Sequence, residues 1–438
     1  MENAVAIPSP NTDVFTSTDN GFLLPADAKA QLVDGIQRNA LGLESSATHK
    51  HVAKVWQEQC IPILEFAEMV ESQKEGKIDH RKPLSWLHLT DELTFPDGMG
   101  FTNHGIISLV TKYTKYPVAA LNYHLEHGDI IEVANYINRE LETYRTLANE
   151  KQAKKKTSKF DGEKQVLIRT RPDGEGNQVV RMVGSDLYGI YGNDELVGML
   201  IDAMKKTPYG GNMNEALASH IHSDMDIMHG NILLPDGMKQ YPDSDYGVGI
   251  SFSNSEIGTN TVRVTPFLFR AICLNGCIWG RSDATYTVNK RHLGNMNHDE
   301  FARHIQFVCE VGLSEGRNLL TQMEYSRDAK IGRPTIPSVI AYLTKANGLS
   351  VSESRAWYSA FLIEPEWENG FGVINALTRA ANGYKGDARW NLQATAGEIL
   401  TPSLTASKDT VLAKWEKIVD RSRDLSEKEV ERYTRIAV

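Results

Sequence analysis

Between Gly247 and Arg281 the chain reads GVGISFSNSEIGTNTVRVTPFLFRAICLNGCIWGR, and its period-two alternation constrains the fold more than any other stretch. Val248, Ile250 and Phe252 alternate with Gly249, Ser251 and Ser253, giving one apolar strand face and one small, polar face. Asn254-Ser255-Glu256 and Gly258-Thr259-Asn260 are turn-forming residues around a lone Ile257. Val262 and Val264 then restore the alternation, with Thr261, Arg263 and Thr265 opposite. Thr265 has the chemistry of an N-cap and Pro266 that of a first helical residue. A helix is therefore expected through Phe267, Leu268, Ile272 and Leu274, stopping at Asn275-Gly276. A hairpin feeding a short helix is ordinary core architecture; the polar turn at 254–260 is the part with room for a functional loop tip.

A chain of 438 residues with 41% hydrophobic content has enough material for a large core. Its net charge of -9, from 47 basic and 56 acidic residues, argues against a surface that coats nucleic acid throughout. Any such contact has to be local. No run of about 18 apolar residues appears, and MENAVAIPSPNTD lacks the basic-then-apolar form of a secretion signal, so the reading is cytoplasmic with no membrane role. Cys60, Cys273, Cys277 and Cys309 are too few for a disulfide framework, and the spacing of Cys273 and Cys277 is not that of a zinc or redox motif. They read as small buried side chains of a reducing compartment.

The order of signals gives an α+β fold: a helical N-terminal part, a β-rich central region and a helical C-terminal part. Residues 1–22, rich in Ser, Pro, Asn and Thr, read as a disordered N-terminus. Residues 23–149 read as helical, with a helix over 44–76 (Val52, Val55, Trp56, Ile63, Leu64, Phe66) divided or kinked at Pro62. Thr102 caps a further helix, and Tyr116-Pro117 breaks it from the next. Residues 150–295 form the β-rich domain, with a hairpin of Gln165–Thr170 and Gln178–Val183 about Pro172-Asp173-Gly174, then a helix at Asn193–Lys205. Residues 296–438 return to helix, where Asn297 with Glu300, Ser350 with Glu353 and Ser426 with Glu429 mark helix starts. The last helices carry Val411, Leu412, Trp415 and Ile418 as apolar positions.

Several segments, in order, resemble the phage/plasmid-like proteins grouped as domain of unknown function 932. Phe101–Gly128 resembles that family's N-terminal helix pair, and Val180–Leu200 its strand leading through a tyrosine to Asn-Asp and a helix. Gly247–Arg281 resembles the family's central block, Lys290-Arg291-His292 the basic triplet after it, and Gly370–Ala381 its C-terminal helix. The likeness spans about half the chain, and the stretch around 206–245 departs from a minimal member. It implies a mobile-element gene product found among replication and recombination genes, and it supplies no catalytic residues.

Two residue groups bear chemistry. In a strand, His220, His222, Asp224 and Asp226 of SHIHSDMDIMHG share one face; in a helix, His222, Asp226 and His229 do. Imidazole and carboxylate ligate zinc, manganese or iron, so a divalent metal is the cofactor this cluster would hold. The alternative is the wet face of an amphipathic strand. His124 and His127, only three apart, read as surface residues. The second group is basic: Lys154, Lys155 and Lys156 in the run 151–171, with Arg263, Arg281, Lys290, Arg291 and His292 near the central block. These suit phosphates, and Tyr188, Tyr191, Trp279 and Tyr286 suit unpaired bases. A Walker loop, a Gly-x-Ser-x-Gly elbow and a dinucleotide fingerprint are absent from the sequence.

Three function classes follow. The leading one is a phage- or plasmid-type accessory protein that acts by binding, with single-stranded DNA in recombination or replication as its partner, and works as a homo-oligomer. The second is a metal-dependent hydrolase or nuclease built on His220–Asp226. The third is a protein-interaction factor in host defence or counter-defence, the class that net acidity favours.

Overall fold

The structure is a computed structural model describing residues 59–154, 164–207, 213, 216–233, 246–270, 276–278, 287–292, 297–363, 368–400 and 406–435. The expectations for residues 1–22, Val52, Val55, Trp56, Lys155, Lys156, Cys273, Trp279, Arg281 and Tyr286, and for much of 206–245, lie outside the described residues. The architecture is α+β, a β-rich centre followed by a helical C-terminal region. No helix among the described residues is long and apolar enough to cross a membrane.

Two sheets organise the centre. The smaller has four strands in the order β2 (Ile78–Pro83), β4 (Gln165–Pro172), β5 (Gln178–Ser185), β3 (Gly100–Phe101). The β4–β5 hairpin turns at Asp173, whose Oδ1 accepts the amides of Glu175 and Asn177 at 2.8 Å each, while Gly176 takes the positive φ of +87° that the turn requires. Helices α2 (Asn103–Tyr113), α3 (Val118–Glu126) and α4 (Ile130–Lys154) bury Ile106, Leu109, Leu121, Val133 and Ile137 against Val166, Ile168 and Val180 of this sheet. Thr102 caps α2 by accepting the amide of Gly105, as its sequence predicts.

The larger sheet is antiparallel, in the order β1 (Cys60–Pro62), β6 (Leu217–Ser223), β7 (Ile227–Leu233), β8 (Tyr246–Ser255), β9 (Val262–Arg270), β10 (Gly276–Ile278), with β11 (Val288–Lys290) also pairing β9. The apolar series Val248, Ile250, Phe252, Val262 and Val264 lies wholly in the core. Helices α1 (Ile63–Ser72), α5 (Asn193–Lys205) and α6 (His298–Ser314) contribute Phe66, Leu196, Leu200, Phe301 and Ile305 to the same core.

Three expectations are corrected here. The region 23–149 is not purely helical, because β1, β2 and β3 leave it to complete the two sheets. Pro62 accordingly ends a strand and precedes a helix that starts at Ile63. The helix expected from Pro266 is instead β9: Thr265 pairs with Ser251 and Pro266 with Ile250. Among the described residues, β9 on its other side meets β11 at Val262–Val264 and β10 at Phe267–Phe269. Pro266 lies between these two pairings, with no ladder partner on that side among the described residues, where an absent N–H is tolerated.

The remaining helices, α7 (Gly316–Asp328), α8 (Ile336–Ala346), α9 (Val351–Ile363), α10 (Gly370–Ala381), α11 (Gly386–Leu400), α12 (Lys408–Ser422) and α13 (Glu427–Thr434), form the C-terminal region. Asn297 caps α6, and reciprocal Ser–Glu boxes start α9 and α13 as the sequence predicts. Central α10 is buried on all sides except at Arg379, with Trp357 of α9 donating its Nε1–H to the Val373 carbonyl at 2.8 Å. Cys60, Cys277 and Cys309 are buried, and burial pushes the Cys277 and Cys309 thiols up to about 12.

Candidate functional site

The polar turn at 254–260 is buried over Asn254–Ile257 and meets water only at its far side, where Gly258 and Thr259 are exposed. Asn254, Ser255 and Glu256 are buried, and the turn docks into a basic cradle on the smaller sheet. Arg181 stands at a β-bulge: β4 runs Arg169, Thr170 while β5 answers with Met182 and Val180, leaving Arg181 unpaired in the ladder. A bulge re-aims its side chain, and here the guanidinium turns into the junction. Its Nη1 lies 2.9 Å from Asp226 Oδ1 and 2.6 Å from Glu256 Oε2. Lys77 reaches the same Glu256 oxygen at 2.9 Å, and Asn193 donates its amide to Oε1 at 2.9 Å. Arg169 bridges Asp79 at 2.7 Å to the Glu256 carbonyl, and Arg171 meets Asp226 at 3.3 Å. The tips of the two hairpins are tied by the Glu256 amide donating to the Asp226 carbonyl at 2.8 Å.

Four cations thus face three carboxylates across the two sheets. Burial alone would raise the Glu256 carboxyl, but Lys77, Arg181 and Arg169 outweigh it and hold it at about 2. Burial also works against Arg181, yet Glu256 and Asp226 raise its pKa above the ordinary value. Lys77 goes the other way: burial, helped by the Arg181 charge, prevails over Glu256 and lowers its pKa from the ordinary value.

A second polar centre lies farther along the same hairpins. The strand register puts His222, His229, Ser253, Arg263 and Asn289 directly opposite one another across β6, β7, β8, β9 and β11. A parallel row follows of Ser219, Asn231, Ser251 and Thr265. Opposed residues share a face, so one face of this sheet is polar although it is largely buried. Helix α11 closes over it. Gly386, at φ +55°, stands so close that a Cβ there would meet the His222 and His229 rings at 3.5 and 3.7 Å. Asp387 accepts Arg263 at 3.1 Å, and the Arg263 guanidinium stacks over Trp390 at 4.5 Å. His229 sits 3.9 Å from Asp387, beyond hydrogen-bond range. Burial pushes His229 down to about 4 in spite of Asp387.

This geometry separates the sequence candidates. His220, His222, Asp224 and Asp226 do not share a face. A bulge opposite Gly230 puts His220 at φ +53°, and β6 ends at Ser223, so Asp224 and Asp226 lie in the turn. Asp224 there accepts the amides of Asp226 and Ile227, while Asp226 belongs to the arginines. No group of three or more His, Cys, Asp or Glu suited to hold a metal ion occurs among the described residues. His292, expected beside phosphates, is buried: its Nδ1 donates to the Gly189 carbonyl at 2.9 Å and its ring stacks on Tyr188. Burial pushes it down to about 4. Lys290 and Arg291 are exposed, and Lys154 is the last residue of α4.

Asp387, Arg389, Trp390, Lys77 and Arg181 were not singled out by sequence reasoning, and Glu256 entered it only as a turn former. The signal for the first three was the turn-rich Asn382-Gly383-Tyr384-Lys385-Gly386 entering a helix with an Arg-Trp pair. No protein-family model, curated protein or solved structure matches the chain.

Proposed function

We propose that this protein acts by binding single-stranded nucleic acid, as a cytoplasmic, homo-oligomeric accessory protein of the phage or plasmid type that the sequence resemblance implies. The observation that supports the reading is the strip His222-His229-Ser253-Arg263-Asn289, which crosses five strands and ends beside exposed Lys290 and Arg291. Basic side chains at the rim of a polar sheet face neutralise phosphates locally, which a chain of net charge -9 requires.

The test is fluorescence anisotropy of a labelled DNA single strand across a salt series, with wild type and a Lys290→Glu/Arg291→Glu variant. Binding is expected at low salt, and each phosphate contact contributes about 0.7 to the slope of log affinity against log salt. The double variant therefore loses about 1.4 of slope, or more through repulsion. Absence of binding at low salt, or an unchanged slope in the variant, sinks the reading.

A further inference from the structure

We propose that the recess under the first turns of α11 is a binding site for a phosphate group, with the Arg389 guanidinium as principal partner and Ser253, His229 and Gln393 contributing polar groups. This site shares His229 and Ser253 with the strip behind the nucleic-acid reading, but it excludes the Lys290–Arg291 rim and is tested separately from it.

The other arginines that turn inward are answered by carboxylates: Arg169 by Asp79, Arg181 by Asp226 and Glu256, Arg263 by Asp387. Arg389 has no such partner among the described residues. Its Nη2 donates to Asn382 Oδ1 at 2.6 Å, and its Nε finds no acceptor. The residue keeps some solvent access, yet the protein around it depresses its pKa to about 9 through burial alone. A guanidinium held there is costly unless an anion completes it.

Unpartnered polar atoms supply the second line of argument. Ser253 is fully buried and His229 is 6% exposed, yet Ser253 Oγ and His229 Nδ1 have no partner. Gln393, 2% exposed and one turn beyond Arg389 on α11, has an unpartnered Nε2, and His220 Nε2 beside Arg389 is also buried without one. Buried polar atoms of native proteins nearly always find partners. Arg389 Nε, Gln393 Nε2 and the Ser253 hydroxyl are all donors, so the missing partner is rich in acceptors. A phosphate group has enough oxygens to serve them at once.

Helix geometry agrees. α11 spans 15 residues, and its N-terminal Gly386 faces the His222 and His229 rings of the same polar strip. The amide end of such a helix favours an anion.

The experiment follows thermal unfolding of the full chain against inorganic phosphate, with chloride at equal ionic strength as control. Oligonucleotides with and without a 5′-phosphate are the further probes. Phosphate should raise the unfolding temperature in a saturable way, and Arg389→Gln should weaken the fitted affinity roughly tenfold or more. Ser253→Ala, which removes one hydroxyl and keeps the strand, should weaken it severalfold and stands in should Arg389→Gln not fold. A response confined to the 5′-phosphorylated strand, and lost in these variants, supports the site with a nucleic-acid end as the source. Lys290→Glu/Arg291→Glu should leave phosphate binding intact, which separates failure of the rim from failure of the recess. No response to either phosphate source, or equal affinity in wild type and both recess variants, overturns the proposal.

Discussion

Nη1 of Arg181 lies 2.6 Å from Oε2 of Glu256, and through this contact the four-stranded sheet grips the tip of the β8–β9 turn. Both side chains are almost fully enclosed, so removal of either leaves a buried charge short of a partner, Glu256 with Lys77 or Arg181 with Asp226. Such a loss costs about 3–5 kcal/mol, whereas apolar replacement of both is far milder. Arg181→Met and Glu256→Gln should each lower urea stability by that order, and Arg181→Met/Glu256→Leu should lose less than the sum. Strict additivity would show that the junction is not coupled.

Acid should weaken the fold in two stages. An unfolded histidine titrates near 6.5, while burial holds folded His229 and His292 at about 4 and His220 well below its ordinary value. Between those values the unfolded chain binds more protons, so this stability is complete above 6.5 and is lost as pH falls toward 4. Each histidine contributes up to about 1.4 kcal/mol per pH unit. Glu256 adds a lower stage: its carboxyl is at about 2 against 4.5 when free, so its contribution is present above 4.5 and disappears toward 2. Urea midpoints across pH should fall first in the histidine window, and His292→Gln should flatten that part. A flat profile through that window would contradict neutral burial.

One substitution at two glycines should give opposite signs. At Gly105 an added Cβ would stand 2.0 Å from the Val180 carbonyl oxygen, since α2 packs its backbone directly on β5. Gly105→Ala should therefore cost about 1–3 kcal/mol or force the helix away. Gly198 is exposed within α5 with open space around it. Gly198→Ala should stabilise by up to about 1 kcal/mol, because alanine loses less entropy in a helix. Paired thermal melts decide both.

Local chemistry made much of this fold legible. The alternation at 248–264, the Asp173 turn, helix α5 and the caps at Thr102, Asn297, Ser350 and Ser426 depend on neighbours in sequence, and all appear. Pro266 misled because a proline after a threonine satisfies a helix start equally well, and only the partner strands of β9 reveal the position between two pairings that admits it. The SHIHSDMDIMHG segment misled because a single bulge breaks period two. The candidate site was the least readable part. His229 and Arg263 are 34 residues apart and Arg263 and Asp387 are separated by 124, so pairing register and helix docking, not spacing, unite them.

Arg263 and Asp387 also offer a direct measure of how firmly α11 is held on the sheet. Their contact is 3.1 Å, but Asp387 is 41% exposed, so water and salt screen it. Arg263 additionally stacks on buried Trp390. Loss of the ion pair alone should cost about 1 kcal/mol, and the cation–π contact adds about 0.5–2 kcal/mol. Arg263→Ala should therefore destabilise more than Asp387→Ala, and high salt should narrow the loss from Asp387→Ala while leaving most of that from Arg263→Ala. A double-mutant cycle with a coupling near 1 kcal/mol at low salt fits a clasp made by both contacts. Amide exchange at residues 386–393 should quicken in Arg263→Ala before the rest of α11 responds. Uniform exchange along the helix would instead mean that its docking depends on the apolar packing of Leu392, Ile399 and Leu400, with the clasp contributing nothing measurable.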